Sequence, residues 1–487
     1  MPHLLIDAGP GSGKTTTLLN AHNYLLSNNL PVRKQTDEQY TILETIKSTM
    51  PPVRASEVVF ACMTNAGKDN ITTHLNSDTR AFTYNGLGAS LLYRRHSRYY
   101  KLDYKRGERL LEAVLGRSLQ DMVWSERKTY YSALKYIKCL KEELLQPTIE
   151  NIIFIQQKYG IESSPPENME ELGRVMQKMM VLDGTVEWID QVWLALNSIT
   201  SPVYKIGYVD EAQDLSSLKL LLMIKCCANL IFCGDPWQSI NGFAGADYNS
   251  FNKLKKLAYQ QLSLKTCFRC PPNHIEGFNR IRPARIMPFK TENVPDLTIN
   301  IKDLGAYIKK NLSNPKEHML ISRLNSILLR VGIQLTRQGV ACHIVSGTKE
   351  NSLEEILTNY IKQTFAKTLS SLCSIADADK QNAARLGFQA GQFVADRSDC
   401  ILELAKEPNI KTIPQLIAYL QSLTQESTAS VPLLTIHKSK GLEANFVYIL
   451  YPPIKLKPEN QDQIEQEINL EFVSESRSKH QKVYVTP

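Results

Sequence analysis

Eight residues near the amino terminus, Ala8-Gly9-Pro10-Gly11-Ser12-Gly13-Lys14-Thr15, narrow the folds open to this chain more than any other feature in it. Glycines at alternate positions let successive backbone N–H groups turn toward one point, Lys14 can reach terminal phosphates, and the Thr15 hydroxyl can ligate Mg²⁺. The flanks complete the unit. Leu4-Leu5-Ile6 reads as a short buried strand and Thr15 to Leu26 as a helix whose amino-terminal dipole favours an anion at the glycine turn. A strand, loop, helix unit of this kind belongs to α/β proteins with a parallel sheet, where ligands meet the carboxyl ends of the strands.

Other segments read as strands of the same sheet: Ser56 to Met63, Ile206 to Val209 ending at Asp210, and Leu230 to Cys233 ending at Gly234-Asp235. The run Gly207-Tyr208-Val209-Asp210-Glu211-Ala212-Gln213-Asp214 places an acidic pair at a strand end. There Asp210 gives Mg²⁺ a carboxylate, and Glu211 is left to orient or deprotonate an attacking water. Capping of the following helix is the bland reading of the same pair.

At 487 residues the chain exceeds the size at which one hydrophobic core stops growing. Between about Leu87 and Pro202 the pattern turns helical and basic, and from Leu297 a second α/β pattern begins, with Met319-Leu320-Ile321, a helix through Arg337, and Ala341 to Val345. Ser352 to about Ser430 is helical again, and Leu433-Leu434-Thr435 and Phe446 to Leu450 return to strand. Two α/β cores, each interrupted by a mainly helical insertion, are therefore expected, divided at 1–88, 89–202, 203–290, 291–350, 351–430 and 431–487.

Composition excludes several classes. With 43% hydrophobic and 22% charged residues, and no apolar stretch long enough to cross a bilayer, no membrane partner is expected. The start lacks the features of a signal peptide, so a cytoplasmic location, in a bacterial cell or a phage-infected host, is anticipated. Ten cysteines in a chain of this length read as reduced thiols. Cys267 and Cys270 form one C-x-x-C, but no second pair or histidine cluster completes a zinc site.

The net charge of +8 is concentrated. From Tyr93 to Lys138 there are twelve Lys or Arg against five Asp or Glu, interleaved with Tyr93, Tyr99, Tyr100, Tyr104, Trp124, Tyr130, Tyr131 and Tyr136. Cations neutralise phosphates and flat rings stack on bases, so the mixture suits nucleic acid. A solvated helix face with its tyrosines turned inward fits equally well.

The order of motifs resembles the UvrD/Rep group of superfamily 1 helicases over nearly the whole chain. The phosphate loop with its leading Ala8 is of that group's form. Met63-Thr64-Asn65-Ala66 is similar to its Phe-Thr-Asn segment, which lines the single-strand path, and Thr83-Tyr84-Asn85-Gly86 to its Thr-x-His-Ser segment. Asp210 to Asp214 is close to its second motif. Gly234-Asp235-Pro236-Trp237-Gln238-Ser239-Ile240-Asn241-Gly242-Phe243-Ala244-Gly245-Ala246 resembles its third, Thr435-Ile436-His437-Lys438-Ser439-Lys440-Gly441-Leu442-Glu443 its fifth, and Phe472 to Arg477 its sixth.

The resemblance implies two RecA-like cores and an ATP-dependent DNA helicase and single-strand translocase of 3′ to 5′ polarity, serving replication, repair or recombination. ATP and Mg²⁺ are its implied cofactors; its partners would be single-stranded DNA, duplex junctions, and replication or repair proteins, with a monomer as the working form. Ala8 to Thr15 and Thr16 would hold nucleotide, with Thr15 and Asp210 on Mg²⁺. Gln238 would sense the γ-phosphate, and Arg269 and Arg477 would stabilise charge on the transferring phosphoryl group, so that hydrolysis requires the cores to close. Phe268, in the place of a tyrosine, would stack on the base; Gly441 and Glu443 would line the nucleotide, Glu443 accepting from the ribose. Met63, Thr64, Asn65, Thr83, Asn85, Phe243 and His437 would meet DNA.

The chain departs from the pattern in three places. The group's stacking tyrosine, arginine, phenylalanine and histidine are here Asn241, Ala244, Met63 and Asn85, each lost ring being worth about 1–3 kcal/mol of strand grip. Only seven residues precede Ala8, where the group has an adenine-reading glutamine, so relaxed base selectivity is expected. The second insertion is short, and the chain stops just after the sixth motif, as in a compact phage or plasmid type. The altered stacking residues leave open a second reading, an ATPase that translocates or remodels nucleoprotein without unwinding. A non-motor nucleotide-binding regulator is a third, and the full hydrolytic set of Lys14, Glu211, Gln238, Arg269 and Arg477 argues against it.

Overall fold

The structure, a computed structural model, describes residues 3–30, 35–75, 78–159, 161, 168–240, 250–345, 352–450, 458 and 461–487. The chain divides into two compact units, Met1–Thr266 and Cys267–Pro487. Each is built on a six-stranded, wholly parallel sheet flanked by helices, the RecA-like α/β arrangement.

In the first unit the sheet strands, in chain order, are β1 (Leu4–Ala8), β2 (Val58–Cys62), β3 (Arg80–Thr83), β4 (Tyr204–Val209), β5 (Cys227–Gly234) and β6 (Gln260–Leu264). Their spatial order is β3-β2-β4-β5-β1-β6. Both faces are apolar because both are covered. Leu4, Ile6, Phe60, Ile206 and Ile231 pack to one side under the helices Lys14–Ser27 and Asp37–Thr49, while Leu5, Val59, Val209 and Phe232 pack to the other. Each such side chain, fully withdrawn from water, contributes roughly 1.5–3 kcal/mol before chain entropy is counted. The edge strands β3 and β6 are not foreseen from the sequence, since Arg80 and Gln260-Gln261 break the apolar pattern that reveals a buried strand.

The first insertion carries a core of its own. Leu111, Tyr136, Leu140, Ile155 and Val175 meet among the helices Arg106–Leu115, Trp124–Glu143, Ile149–Tyr159 and Met169–Met179. A two-stranded parallel clasp, Lys101–Leu102 against Thr185–Val186, ties its entry to its exit. This is a strand pairing within a segment that reads as purely helical. Inside it, Asp190 and Lys141, both fully buried, are 2.7 Å apart, and Asp190 also accepts from Arg106 at 2.8 Å.

The second unit repeats the plan with β7 (Leu297–Asn300), β8 (His318–Ser322), β9 (Cys342–Ile344), β10 (Val431–Thr435), β11 (Ala444–Leu450) and β12 (Ser478–Thr486), ordered β7-β12-β11-β8-β10-β9. Strand β12 lies inside the sheet despite its polar sequence, because Lys482 is buried against Glu475 at 2.6 Å and Asp296 at 3.2 Å. The helices of the second insertion, Leu353–Thr364, Leu369–Asn382, Phe388–Ala405 and Ile413–Thr424, have no separate core. Their Leu357, Leu372, Leu404 and Leu420 join Leu320, Leu433 and Tyr448 of the sheet in one cluster. Among the described residues no helix is long and apolar enough to cross a membrane.

Candidate functional site

Three neighbouring strands, β4, β5 and β1, bring one set of polar groups to their carboxyl ends. After β1 the chain is pinned by Gly9 N–H donating to the Leu264 carbonyl at 2.9 Å, and the turn is closed by Ser12 Oγ donating to the Gly9 carbonyl at 2.8 Å. Gly11 and Gly13 then take φ of 64° and 76°, left-handed values that strain any side chain. Gly13 caps the helix Lys14–Ser27 without a side-chain acceptor, leaving the first N–H groups to an anion. Ala8, Gly9 and Pro10 are buried beneath the turn; Thr16 points to solvent.

Asp210 follows β4 and is buried. Its Oδ2 accepts from Thr15 Oγ1 at 2.5 Å, and its Oδ1 from the Glu211 N–H at 2.9 Å. Burial, reinforced by the neighbouring Glu211 charge, pushes the Asp210 carboxyl up to about 6. Glu211 itself takes φ 52°, a strained conformation for a residue with a side chain. Its Oε2 accepts from Gln213 Nε2 at 2.6 Å, and its Oε1 stands 3.9 Å from Lys14 Nζ. Burial acts to lower the Lys14 pKa, but Glu211, Asp235, Cys233 and Asp210 outweigh it and the net shift is upward. The ammonium is thus held charged in a buried place.

Behind β5, the fully buried Asp235 is raised by burial and accepts from Gln238 Nε2 at 2.7 Å. Gln213 joins the two clusters, its Oε1 accepting from the Asp235 N–H at 3.0 Å while its amide serves Glu211. The sequence gives Gln213 no role beyond its place two residues after Glu211. A magnesium ion fits this set: the Thr15 hydroxyl and Asp210 carboxylate already adjoin. No group of three or more His, Cys, Asp or Glu among the described residues is placed to hold a metal. That suits an ion that takes most of its ligands from phosphate and water.

The second unit gathers a different set. Arg269 Nε donates to Glu443 Oε2 at 2.6 Å and its Nη1 to the Ser476 carbonyl at 3.0 Å; Lys479 also pairs with Glu443, at 2.8 Å. Arg477 is buried, donating from Nε to the Val473 carbonyl at 2.9 Å, from Nη1 to the Leu442 carbonyl at 3.3 Å, and from Nη2 to Ser476 Oγ at 2.8 Å. Phe268 packs on Phe289 with ring centroids 4.7 Å apart, and Gly441 turns through φ 80° just before Glu443. The Cys267 thiol is pulled down to about 6, first by its hydrogen bond with Cys270. Both cysteines are fully buried.

The expected strand-contacting residues fall at two adjacent strand ends of the first unit, where Cys62 of β2 is in register with Thr83 of β3. Thr64 and Thr83 cap the helices that follow, accepting from the Gly67 and Gly86 N–H groups at 3.1 and 3.2 Å. Met63 and Asn85 are half-buried and Asn65 is exposed. His437 lies in the second unit, where burial and then Arg323 and Lys440 depress its imidazole to about 3, so it is neutral. Phe243, with Asn241 and Ala244, lies outside the described residues.

Comparison with known proteins matches residues 2–258 to the UvrD/REP helicase N-terminal domain. Over 499 residues the chain is 24% identical to the ATP-dependent DNA helicase HMI1, mitochondrial, of Saccharomyces cerevisiae, covering 93% of this chain and 64% of that protein. It is 22% identical over 305 residues to F-box DNA helicase 1 of Gallus gallus, covering 58% of this chain and 28% of the relative. A shorter stretch, 125 residues, is 26% identical to the RecBCD enzyme subunit RecB of Buchnera aphidicola, covering 25% of this chain and 11% of that one. The chain thus spans less than two thirds of each relative's length.

Proposed function

Because the chain belongs to the UvrD/REP helicase family and so acts on nucleic acid at the expense of ATP, we propose that it is a single-stranded DNA translocase that unwinds duplex DNA with 3′ to 5′ polarity. The observation that carries the reading is the convergence of Lys14, Thr15, Asp210, Glu211 and Gln238 at the ends of β1, β4 and β5. The turn from Gly9 to Gly13 holds the phosphates through backbone N–H groups, and Lys14 neutralises the terminal ones. A magnesium ion held by Thr15 and Asp210 would bridge phosphate oxygens and draw off their charge. Glu211 orients the attacking water and takes its proton, its carboxylate aimed by Gln213. Gln238 reads the γ-phosphate, and Arg269 and Arg477 neutralise charge that grows on the phosphoryl group as its bond to ADP breaks. Movement follows if nucleotide and strand affinities differ between the states before and after hydrolysis.

The test is ATP hydrolysis with and without single-stranded DNA, followed by strand displacement on 3′- and 5′-tailed duplexes. Stimulation by DNA with displacement from 3′ tails is the expected result; absence of stimulation would sink the motor reading. The half-buried Met63 and Asn85, where rings would grip a strand, favour a second reading, in which the protein translocates or remodels nucleoprotein without unwinding. Stimulation without displacement would select it.

A further inference from the structure

The side chain that sits beside one of those missing rings is itself a ring. Asn85, at the end of β3, donates from Nδ2 to the main-chain carbonyl of Trp188 at 2.5 Å, across 103 residues of sequence. Trp188 keeps 51% of its surface exposed. Isolated exposed apolar residues are commonplace and mean little by themselves. Here the backbone around the indole is fixed on both sides. Before it, the Val186 carbonyl accepts from Asp103 N–H at 2.9 Å, and the Glu187 carboxylate accepts from the Gly107 N–H at 2.6 Å. After it, the Ile189 carbonyl accepts from the Val192 and Trp193 N–H groups at 3.1 and 3.0 Å. An aromatic held by its main chain, with its face left in water, has lost little of the freedom it would give up on stacking. Trp193 offers the contrast: half-buried, it has the Lys141 ammonium over its ring at 5.2 Å.

We propose that Trp188 is a stacking residue for an unpaired base of single-stranded DNA, supplying the ring that positions 63 and 85 lack, and that Asn85 positions it through the carbonyl. The inference rests on the single-strand reading above. Every base has a π-face, so the contact would be indifferent to sequence. It would also place the first insertion's exit segment on the strand path, beside the ends of β2 and β3.

The full chain has four tryptophans, Trp124, Trp188, Trp193 and Trp237, so its intrinsic fluorescence can be followed during titration with oligo(dT), alongside DNA-stimulated hydrolysis. Trp188→Phe should remove the larger part of the DNA-induced quench while still binding. Trp188→Ala should raise the half-saturating oligo(dT) concentration about tenfold, with the maximal rate changed less than about twofold. Asn85→Ala should keep the quench but weaken binding about threefold. Should Trp188→Ala fail to fold, Trp188→Phe and Asn85→Ala still decide the matter. A wild-type quench in Trp188→Phe, or unchanged half-saturation in Trp188→Ala, would overturn the inference and leave the translocase reading intact. If oligo(dT) neither quenches nor stimulates the wild-type protein, both fall. A Trp188-dependent quench by oligo(rU) alone would overturn the assignment to DNA.

Discussion

In the first unit the charged groups of the candidate site face one another across a gap, Lys14 Nζ standing 3.9 Å from Glu211 and Asp210 raised toward neutrality by burial. In the second, Arg477 and Arg269 donate to carbonyls at 473, 442 and 476 and to Glu443, so their hydrogen bonds are made without any ligand. A triphosphate with magnesium brings the first set what it lacks: anions for the lysine and a cation for the carboxylates. For the second set, a phosphate can only replace partners already present. Each exchange gives up a bond worth about 1 kcal/mol net and gains a charge-assisted one roughly twice as strong. The contrast teaches that the first unit is arranged to bind nucleotide and the second to respond to it.

The largest expected effect tests the first half of that contrast. Lys14→Ala should abolish phosphate release and also weaken nucleotide binding, measured by fluorescent-nucleotide titration; a variant that binds normally would break the assignment. Arg477→Ala should instead leave nucleotide binding near wild type while slowing hydrolysis on the order of 10³-fold. If binding and turnover fell together, the division of labour between the units would be lost. Third in size is a stability effect confined to the second unit. Asp396 accepts from the Asn325 and Ser326 N–H groups, both at 2.9 Å, and from Ser326 Oγ at 2.7 Å, holding the start of the helix Asn325–Arg337. Asp396→Ala should cost about 2 kcal/mol in denaturant unfolding without altering nucleotide affinity.

The smallest effect is one of pH. His22 is buried against Phe60 and Tyr208, and burial depresses its imidazole to about 4 from 6.5. The unfolded chain therefore binds a proton in a window where the folded one does not, so this contribution to stability is present above about 6.5 and is lost as pH falls toward about 4. Thermal midpoints across that window should fall less steeply in His22→Leu than in the wild type. Equal slopes would show that other groups govern the acid side.

The sequence reveals the central strands because both faces of β1, β2, β4 and β5 are covered, which demands continuous apolar runs. It conceals β12, since an interior lysine looks like surface until Glu475 and Asp296 are seen beside it. The glycine turn and the Asp210-Glu211 pair were legible as motifs, whereas the bridge by Gln213 depends on two strand ends lying side by side. The tyrosines of the first insertion show the limit most clearly. Two readings were open, and the structure divides the residues: Tyr130 and Tyr136 are buried, while Tyr99 and Tyr104 are exposed and Tyr93 stacks on Tyr99 with centroids 4.2 Å apart. Helical spacing alone does not say which face meets a partner.

The separate core of the first insertion, closed by the clasp between Lys101–Leu102 and Thr185–Val186, makes that insertion a detachable module. A chimera could exchange the segment between the clasp strands for another helical domain, or for a short linker. The graft has one hidden condition. Asp190 remains with the first unit while Arg106 and Lys141 leave with the module, so a buried carboxylate would be stranded, a fault worth about 3–5 kcal/mol unless Asp190 is neutralised in the same design. The second insertion offers no such cut, because removing its leucines would strip one face of the sheet it helps to form.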